Sequence, residues 1–388
     1  MYPCITITKK GFNWFQTGHP WIYASDITSK ETNEPGLVSI RGSQNEFLAR
    51  ALYSPVSQIA LRILTKKEEE INRKWWETKI HQALEKRREL KIPSNAKRLI
   101  FAEADGLPSL IVDAYGSYLV VQTLSAGMEK YKEDIFDLLK KMVEAEGILE
   151  RNDAPIRKKE QLPSIKQCVA GEVPKQTVIE ENGLKFVVDL WEGQKTGAFL
   201  DQRDNRIQAG FQASGKVLDV FSYEGWFACH MAKKAETVLC VESSKKSAER
   251  ILENAKRNGL ETKIKVEVCD AFDFLKNADR QGKHFDVINL DPPAFVKNTG
   301  EKLQGFRGYK EINLRAMKLL KPKGLLMSSS CSYHFSREEF ENMLSDASED
   351  ANVKLEVISQ AGAALDHPAF PNFPEGNYLK CYFLVVSA

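Results

Sequence analysis

Residues 216–243 read KVLDVFSYEGWFACHMAKKAETVLCVES. A short apolar run ends in a turn that closes on Gly225, a helical run WFACHMAKKA follows, and a second apolar run TVLCVES closes the stretch. Strand, tight turn, helix, strand is the repeating unit of a parallel sheet, because parallel neighbours need a crossover between them. Outward from this unit the same alternation continues through KKSAERILENAKRNG, IKVEVCD, AFDFLKN, FDVINLD, YKEINLRAMKLL, GLLMSSSC, REEFENMLSDAS and LEVISQ. Residues 181–388 therefore read as one Rossmann-like α/β domain with a parallel sheet covered on both faces, whose ligand sits where the strands stop.

The strand ends carry a pattern. The first places Asp219 at its tip, and the turn Phe221-Ser222-Tyr223 leads to Gly225, where a tight bend lets the backbone approach a ligand closely. The turn lacks the GK[ST] ending of a phosphate loop and the GxGxxG of a dinucleotide fold. Glu242 ends the second strand, where an acid can accept both hydroxyls of a ribose. Asp270 ends the third, with Ala271 and Phe272 following as an apolar border for an adenine ring. Any one of these acids reads equally as a helix cap. The ordered set of Asp219, Gly225, Glu242 and Asp270 resembles the cofactor site of class I S-adenosylmethionine methyltransferases.

The fourth strand reads FDVINLDPPAF, and Pro292 and Pro293 hold its end extended so that Asp291 is aimed at the crevice. The element is similar to the [DNS]PP[YF] motif of methyltransferases that modify exocyclic amines, with Ala294 at the aromatic position and Phe295 one residue later. The fifth strand, GLLMSSSCSYHF, turns polar at Cys331, on the same edge as Asp291. Carbon 5 of a pyrimidine is a poor nucleophile until a thiolate adds at carbon 6, so a reactive cysteine at this edge points to a cytosine or uracil target. Cys229, Cys240 and Cys269 read as buried filler.

Upstream, residues 1–70 alternate short apolar runs with Gly, Pro and Asn and predict a small β domain. EEEINRKWWETKIHQALEKRREL, from Glu68 to Leu90, predicts a connecting helix, and residues up to 180 a compact α+β unit with turns at Asp105-Gly106 and Tyr115-Gly116. Residues 151–175, with Pro155, Pro163 and Pro174 among mixed charges, read as a loop. With 28% charged residues and a net charge of +2, the 388-residue chain is a globular protein whose total charge names no partner. Arg73-Lys74, Lys86-Arg87-Arg88 and Arg157-Lys158-Lys159 are candidate basic contacts. Seven cysteines without a CxxC pair favour neither a zinc site nor a disulfide framework, so no metal is expected, and a reducing cytoplasm is the simplest setting. No run approaches the roughly 18 apolar residues of a membrane span.

KTGAFLDQRDNR, LDVFSYEGWF, DPPAF, GFRGYKEINLRAMKLL, SSSCSYH and DHPAFPNFPEGNYLK together resemble the bacterial family of large-subunit (23S) ribosomal RNA cytosine methyltransferases that carry an N-terminal PUA domain. The resemblance implies a PUA-like β-barrel over residues 1–70, a linker helix and central α+β domain over 71–180, and the methyltransferase domain over 181–388. It implies S-adenosylmethionine as cofactor, 5-methylcytosine in ribosomal RNA as product, and a homodimer. Carried over by motif, Cys331 is the nucleophile, and Asp219, Glu242 and Asp270 contact the cofactor, helped by Phe199, Asp201, Gln202 and Arg203. Lys195, Thr196, Arg206, Pro292, Pro293 and Phe295 meet the substrate, Arg203 and Arg206 being natural phosphate partners. Related cytosine enzymes hold a second cysteine in the PP loop, where this chain has Ala294 and Phe295, which leaves the proton-abstracting base open; Asp291, ending the neighbouring strand within reach of the cytosine edge, is the expectation for it. The alternatives are an RNA methyltransferase acting on a guanine or adenine nitrogen, and a non-catalytic RNA-binding assembly factor.

Overall fold

Seven strands form the sheet of the C-terminal half in a computed structural model that describes residues 2–296 and 298–387. They are β1 (Lys216–Val220), β2 (Thr237–Glu242), β3 (Ile264–Val268), β4 (Phe285–Leu290), β5 (Leu320–Ser330), β6 (Lys354–Ala361) and β7 (Lys380–Ser387). Their order across the sheet is β3-β2-β1-β4-β5-β7-β6. Neighbours from β3 to β5 pair in parallel, and β1 and β4 meet at the point where the strand order reverses. The sheet is not wholly parallel: β7, the strand whose apolar run YFLVV closes the chain, inserts antiparallel between β5 and β6. That placement covers β5 on its far side and buries the row Tyr382, Leu384 and Val386.

Six helices accompany it: α1 (Arg203–Gln212), which packs on α2 (Trp226–Ala232), and α3 (Lys245–Arg257), α4 (Ala271–Arg280), α5 (Lys302–Leu319) and α6 (Arg337–Ala351). Their starts follow local chemistry, with Ser244 capping α3, Asp270 capping α4, and Ser336 with Glu339 closing a capping box on α6. On α5 the residues Gly305, Tyr309, Ile312, Ala316 and Leu319 recur at helical spacing and form the buried stripe. Tyr309, Ile312, Ala316 and Leu319 join Leu218, Val220, Ile288, Leu290, Leu326 and Phe340 in a single apolar core.

The chain divides into two compact units: Met1–Ile179, Val188–Leu200 and Leu365–Gly376 make one, and Glu180–Val187, Asp201–Ala364 and Asn377–Ala388 the other. The first two expected domains thus share a unit. Its N-terminal part is a six-stranded sheet containing Cys4–Ile7, Gly36–Arg41, Phe47–Tyr53 and Ile59–Thr65, around a core of Ile5, Ile22, Val38, Ile40 and Leu61. Its second sheet has five strands, with the helix Arg73–Glu89 burying Trp75, Trp76, Ile80 and Leu84 beside it.

Here three expectations are corrected. Residues 151–175 are not all loop, because Ile165–Gly171 pairs antiparallel with Gly147–Asn152 at the sheet edge. An edge strand half open to water lacks a clean apolar alternation, which hides it among the flanking prolines. Arg87 and Arg157 are not surface contacts: each is almost wholly buried, Arg87 in a two-pronged pair with Asp105 at 2.6 and 2.7 Å and Arg157 on Glu129 at 2.8 Å. Among the described residues no helix is long and apolar enough to cross a membrane.

Candidate active site

The tip of β1 carries a buried acid. Asp219 Oδ1 accepts the Nδ2–H of Asn289, its partner in register on β4, at 2.7 Å, while Oδ2 is buried with no hydrogen-bond partner. Burial pushes the Asp219 carboxyl up to about 7, with the negative charges of Asp291 and Glu242 adding to the rise. After β1 the backbone enters the left-handed region three times in five residues, at Phe221 (φ 63°), Tyr223 (φ 50°) and Gly225 (φ 75°). At Gly225 a Cβ would also meet Ile251 at 2.8 Å, so both conformation and space demand glycine. Non-glycine residues held this way mark a turn that its surroundings over-determine.

The neighbouring strand ends complete the edge. Glu242 Oε2 accepts the Tyr223 amide at 2.8 Å and Oε1 accepts the Ser244 amide at 2.8 Å, so one carboxylate holds the β1 turn to the end of β2. Asp270 is exposed and caps α4, accepting the amides of Phe272 and Asp273. Ala271 is buried behind it, whereas Phe272 tilts toward Phe295 at 5.9 Å and Phe221 meets the same ring edge-on at 6.3 Å. Three aromatic rings from three strand ends thus border one region. The donor set fits an S-adenosylmethionine molecule: the orphaned Asp219 oxygen suits an ammonium group, the Glu242 carboxylate a ribose, and Ala271 with Phe272 an adenine.

Asp291 and Cys331 follow β4 and β5, which pair in parallel. Asp291 Oδ1 accepts from Gln202 Nε2 at 2.7 Å, and Gln202 Oε1 in turn accepts from Asn205 at 2.7 Å. Pro292 is buried and Pro293 exposed. Cys331 is half-buried, whereas burial holds Cys229 and Cys381 up at about 12 and Cys240 well above its ordinary value. Those three thiols stay protonated. Cys269, half-buried rather than enclosed, is also pushed upward, by burial and by neighbouring acids.

The residues around Cys331 are sewn to the DPPAF loop. The Tyr309 hydroxyl on α5 accepts from Ser330 Oγ at 2.9 Å, lies 2.8 Å from Ser332 Oγ and accepts the Phe295 amide at 3.5 Å. Ser332 Oγ also accepts the Val296 amide at 3.1 Å. Behind Tyr309 the ring of Phe335 stacks at 5.3 Å. Lys380, at the start of β7, donates to the carbonyls of Ser332 and Phe335 at 2.7 and 2.6 Å. Sequence reasoning missed Asn289, Tyr309, Ser330, Ser332 and Lys380; the one signal was the helical spacing that puts Tyr309 on the buried stripe of α5.

The segment before β1 is placed differently from expectation. Lys195 is exposed, with Nζ 4.8 Å over the ring of Phe199. Thr196 is wholly buried, its hydroxyl donating to Asp113 at 2.6 Å and lying 2.9 Å from that of Tyr115. It is a structural hydroxyl, not a substrate contact. Asp201 is buried and accepts from the Tyr378 hydroxyl at 2.6 Å. Arg203 is 0% exposed and pairs with Asp204. Arg206 pairs two-pronged with buried Glu181 at 2.8 Å and lies 4.9 Å over the Trp226 ring, while His230 shares that carboxylate at 3.0 Å. Guanidinium groups sealed from water cannot meet a phosphate, so the structure corrects both expected phosphate contacts to internal staples.

Sheet order, strand-end acids and aromatic border together define the class: a class I methyltransferase that uses S-adenosylmethionine. Residues 156–358 match the family described as S-adenosylmethionine-dependent methyltransferase, and residues 5–66 that described as PUA-like domain. Proteins named ribosomal RNA large subunit methyltransferase I from Pseudoalteromonas atlantica and Tolumonas auensis are each 38% identical, covering 93% of this chain and 94% of theirs, and the chain belongs to their family. A solved structure of a putative methyltransferase complexed with SAH shares the fold, with a TM-score of 0.86 at 20% identity over 98% of this chain and 99% of that one.

Proposed function

We propose that the protein methylates carbon 5 of a cytosine in large-subunit ribosomal RNA through a covalent adduct with Cys331. The family relationship supports the RNA substrate, and the PUA-like region gives the chain a second means of holding RNA. The observation that carries the chemistry is the stitching of Cys331 to the DPPAF loop: Ser330 and Ser332 flank the thiol, and both bond Tyr309, which also accepts the Phe295 amide.

When bound, S-adenosylmethionine supplies an electrophilic methyl group on a sulfonium. The Cys331 thiolate forms a bond to carbon 6, which makes carbon 5 electron-rich enough to take that methyl group. A base then removes the carbon 5 proton, and the electron pair it leaves expels the thiolate and restores the ring. Asp291 is assigned as the base, with Gln202 holding its Oδ1. The cytosine must leave its stack to reach the thiol, at a cost of a few kcal/mol, which favours RNA not yet buried in an assembled subunit.

RNA carrying 5-fluorocytosine tests this, because fluorine cannot depart as a proton does and the adduct is trapped. A complex stable to denaturant with wild-type protein, absent with Cys331→Ala, is the expected result. Undiminished methyl transfer to a guanine or adenine nitrogen by Cys331→Ala would replace this reading with nitrogen methylation.

A further inference from the structure

Lys380 is a buried cation beside the Cys331 loop. It is 3% exposed, stands opposite Ser330 in the β5–β7 register, and sends two of its three N–H groups to the backbone on the far side of Cys331. Among the described residues it has no carboxylate within ion-pair distance. An ammonium taken out of water without an anion is unfavourable, and proteins avoid leaving one so. Negative charge at Cys331 would act on it most strongly, ahead of Arg337 and Glu339 on α6. Glu339 is engaged by Lys302 and by the cap of α6. The other titratable groups around this corner are Tyr309 on α5, Asp291 after β4, His334 in the loop after Cys331, and Tyr382 on β7, which is bonded to Arg337 and Glu341.

We propose that Lys380 is a positioning residue that holds the Cys331 loop and supplies the buried positive charge that keeps the Cys331 thiol ionised. The thiol proton leaves to solvent before the target arrives, and the ammonium keeps its three protons throughout. Burial pulls the Lys380 amine down to about 8 even with negative charge at Cys331 and Glu339 working against that fall. The same charge releases the product, since a stabilised thiolate departs more readily from carbon 6. The inference rests on Cys331 as nucleophile, but its test does not depend on methyl transfer.

Iodoacetamide alkylation of the full-length protein, followed peptide by peptide across pH, reads the ionisation of Cys331 against exposed Cys168 in the same digest. Wild-type Cys331 is expected to reach half its maximal rate at a lower pH than Cys168. Lys380→Met should slow Cys331 at pH 7 about tenfold, one unit of thiol ionisation, with Cys168 unmoved and Lys380→Arg near wild type. Methyl transfer by Lys380→Met should recover toward alkaline pH, a rescue that a purely structural role would not produce. Cys331 ionising at or above the pH of Cys168 in wild type, or unchanged in a folded Lys380→Met protein, would overturn the proposal. Should the methionine variant not fold, Lys380→Gln is read in the same way, and an unchanged Cys331 ionisation in it would overturn the proposal. Cys331→Ala with full activity would instead remove the nucleophile reading and leave the alkylation result standing.

Discussion

Asp219 is the residue proposed to meet the cofactor's ammonium group. Its carboxyl, pushed up to about 7 by burial, keeps its proton when folded far above the ordinary value of about 3.9. Its contribution to folding is therefore full below about pH 3.9 and is lost as pH rises toward 7. A cofactor ammonium against the orphaned Oδ2 favours the ionised form, so binding below pH 7 must expel a proton. Calorimetry should show SAH affinity falling as pH drops through about 7, and Asp219→Asn should bind roughly ten- to a hundredfold more weakly with that pH dependence gone. A flat profile in the wild type would break the assignment. Arg206 gives the opposite kind of test. Burial works against ionisation of Glu181, but Arg206 and His230 outweigh it and hold the carboxyl down at about 2. That stability is present above the ordinary carboxylate range and lost as pH falls toward 2. Arg206→Ala strands the buried charge and should cost about 3–5 kcal/mol, read as a fall of several degrees in melting temperature. Unchanged stability with weakened RNA binding would return Arg206 to the phosphate role.

Among elements, α5 matters beyond its apolar stripe, because Tyr309 joins the end of β5 to the loop after β4. Tyr309→Phe keeps the ring that stacks on Phe335 and removes only the hydroxyl. It should leave SAH affinity within twofold and lower kcat by roughly tenfold or more, since the loop loses a shared partner worth about 1–3 kcal/mol. Equal kcat would show the network to be packing only. At this scale the sequence was legible where periodicity and chain order decide: the five parallel strands, the glycine turn at Gly225, and Asp219, Glu242, Asp270, Asp291 and Cys331 at strand ends. It was illegible where burial of charge decides. Arg87, Arg157, Arg203 and Arg206 look like solvent-facing cations until Asp105, Glu129, Asp204 and Glu181 fold against them. Lys380 was hidden for the same reason, and also because β7 enters the sheet out of chain order.

For the whole molecule, the methyltransferase unit owns a core distinct from those of the PUA-like and central regions. A ligand that binds only the folded methyltransferase unit stabilises that unit, by about 2.7 kcal/mol when present at a hundred times its Kd. Hydrogen exchange with SAH should therefore show new protection around residues 219–225, 242–244, 270–273 and 291–296, and none in the sheet of residues 5–66. Protection spread evenly along the chain would contradict a cofactor site confined to these strand ends.

Carbon methylation through Cys331 is decided by mass spectrometry of nucleosides from unmodified large-subunit ribosomal RNA incubated with labelled S-adenosylmethionine. Labelled 5-methylcytosine with wild-type protein and none with Cys331→Ala is the predicted result; a labelled methylguanine or methyladenine, made equally by both proteins, would contradict it.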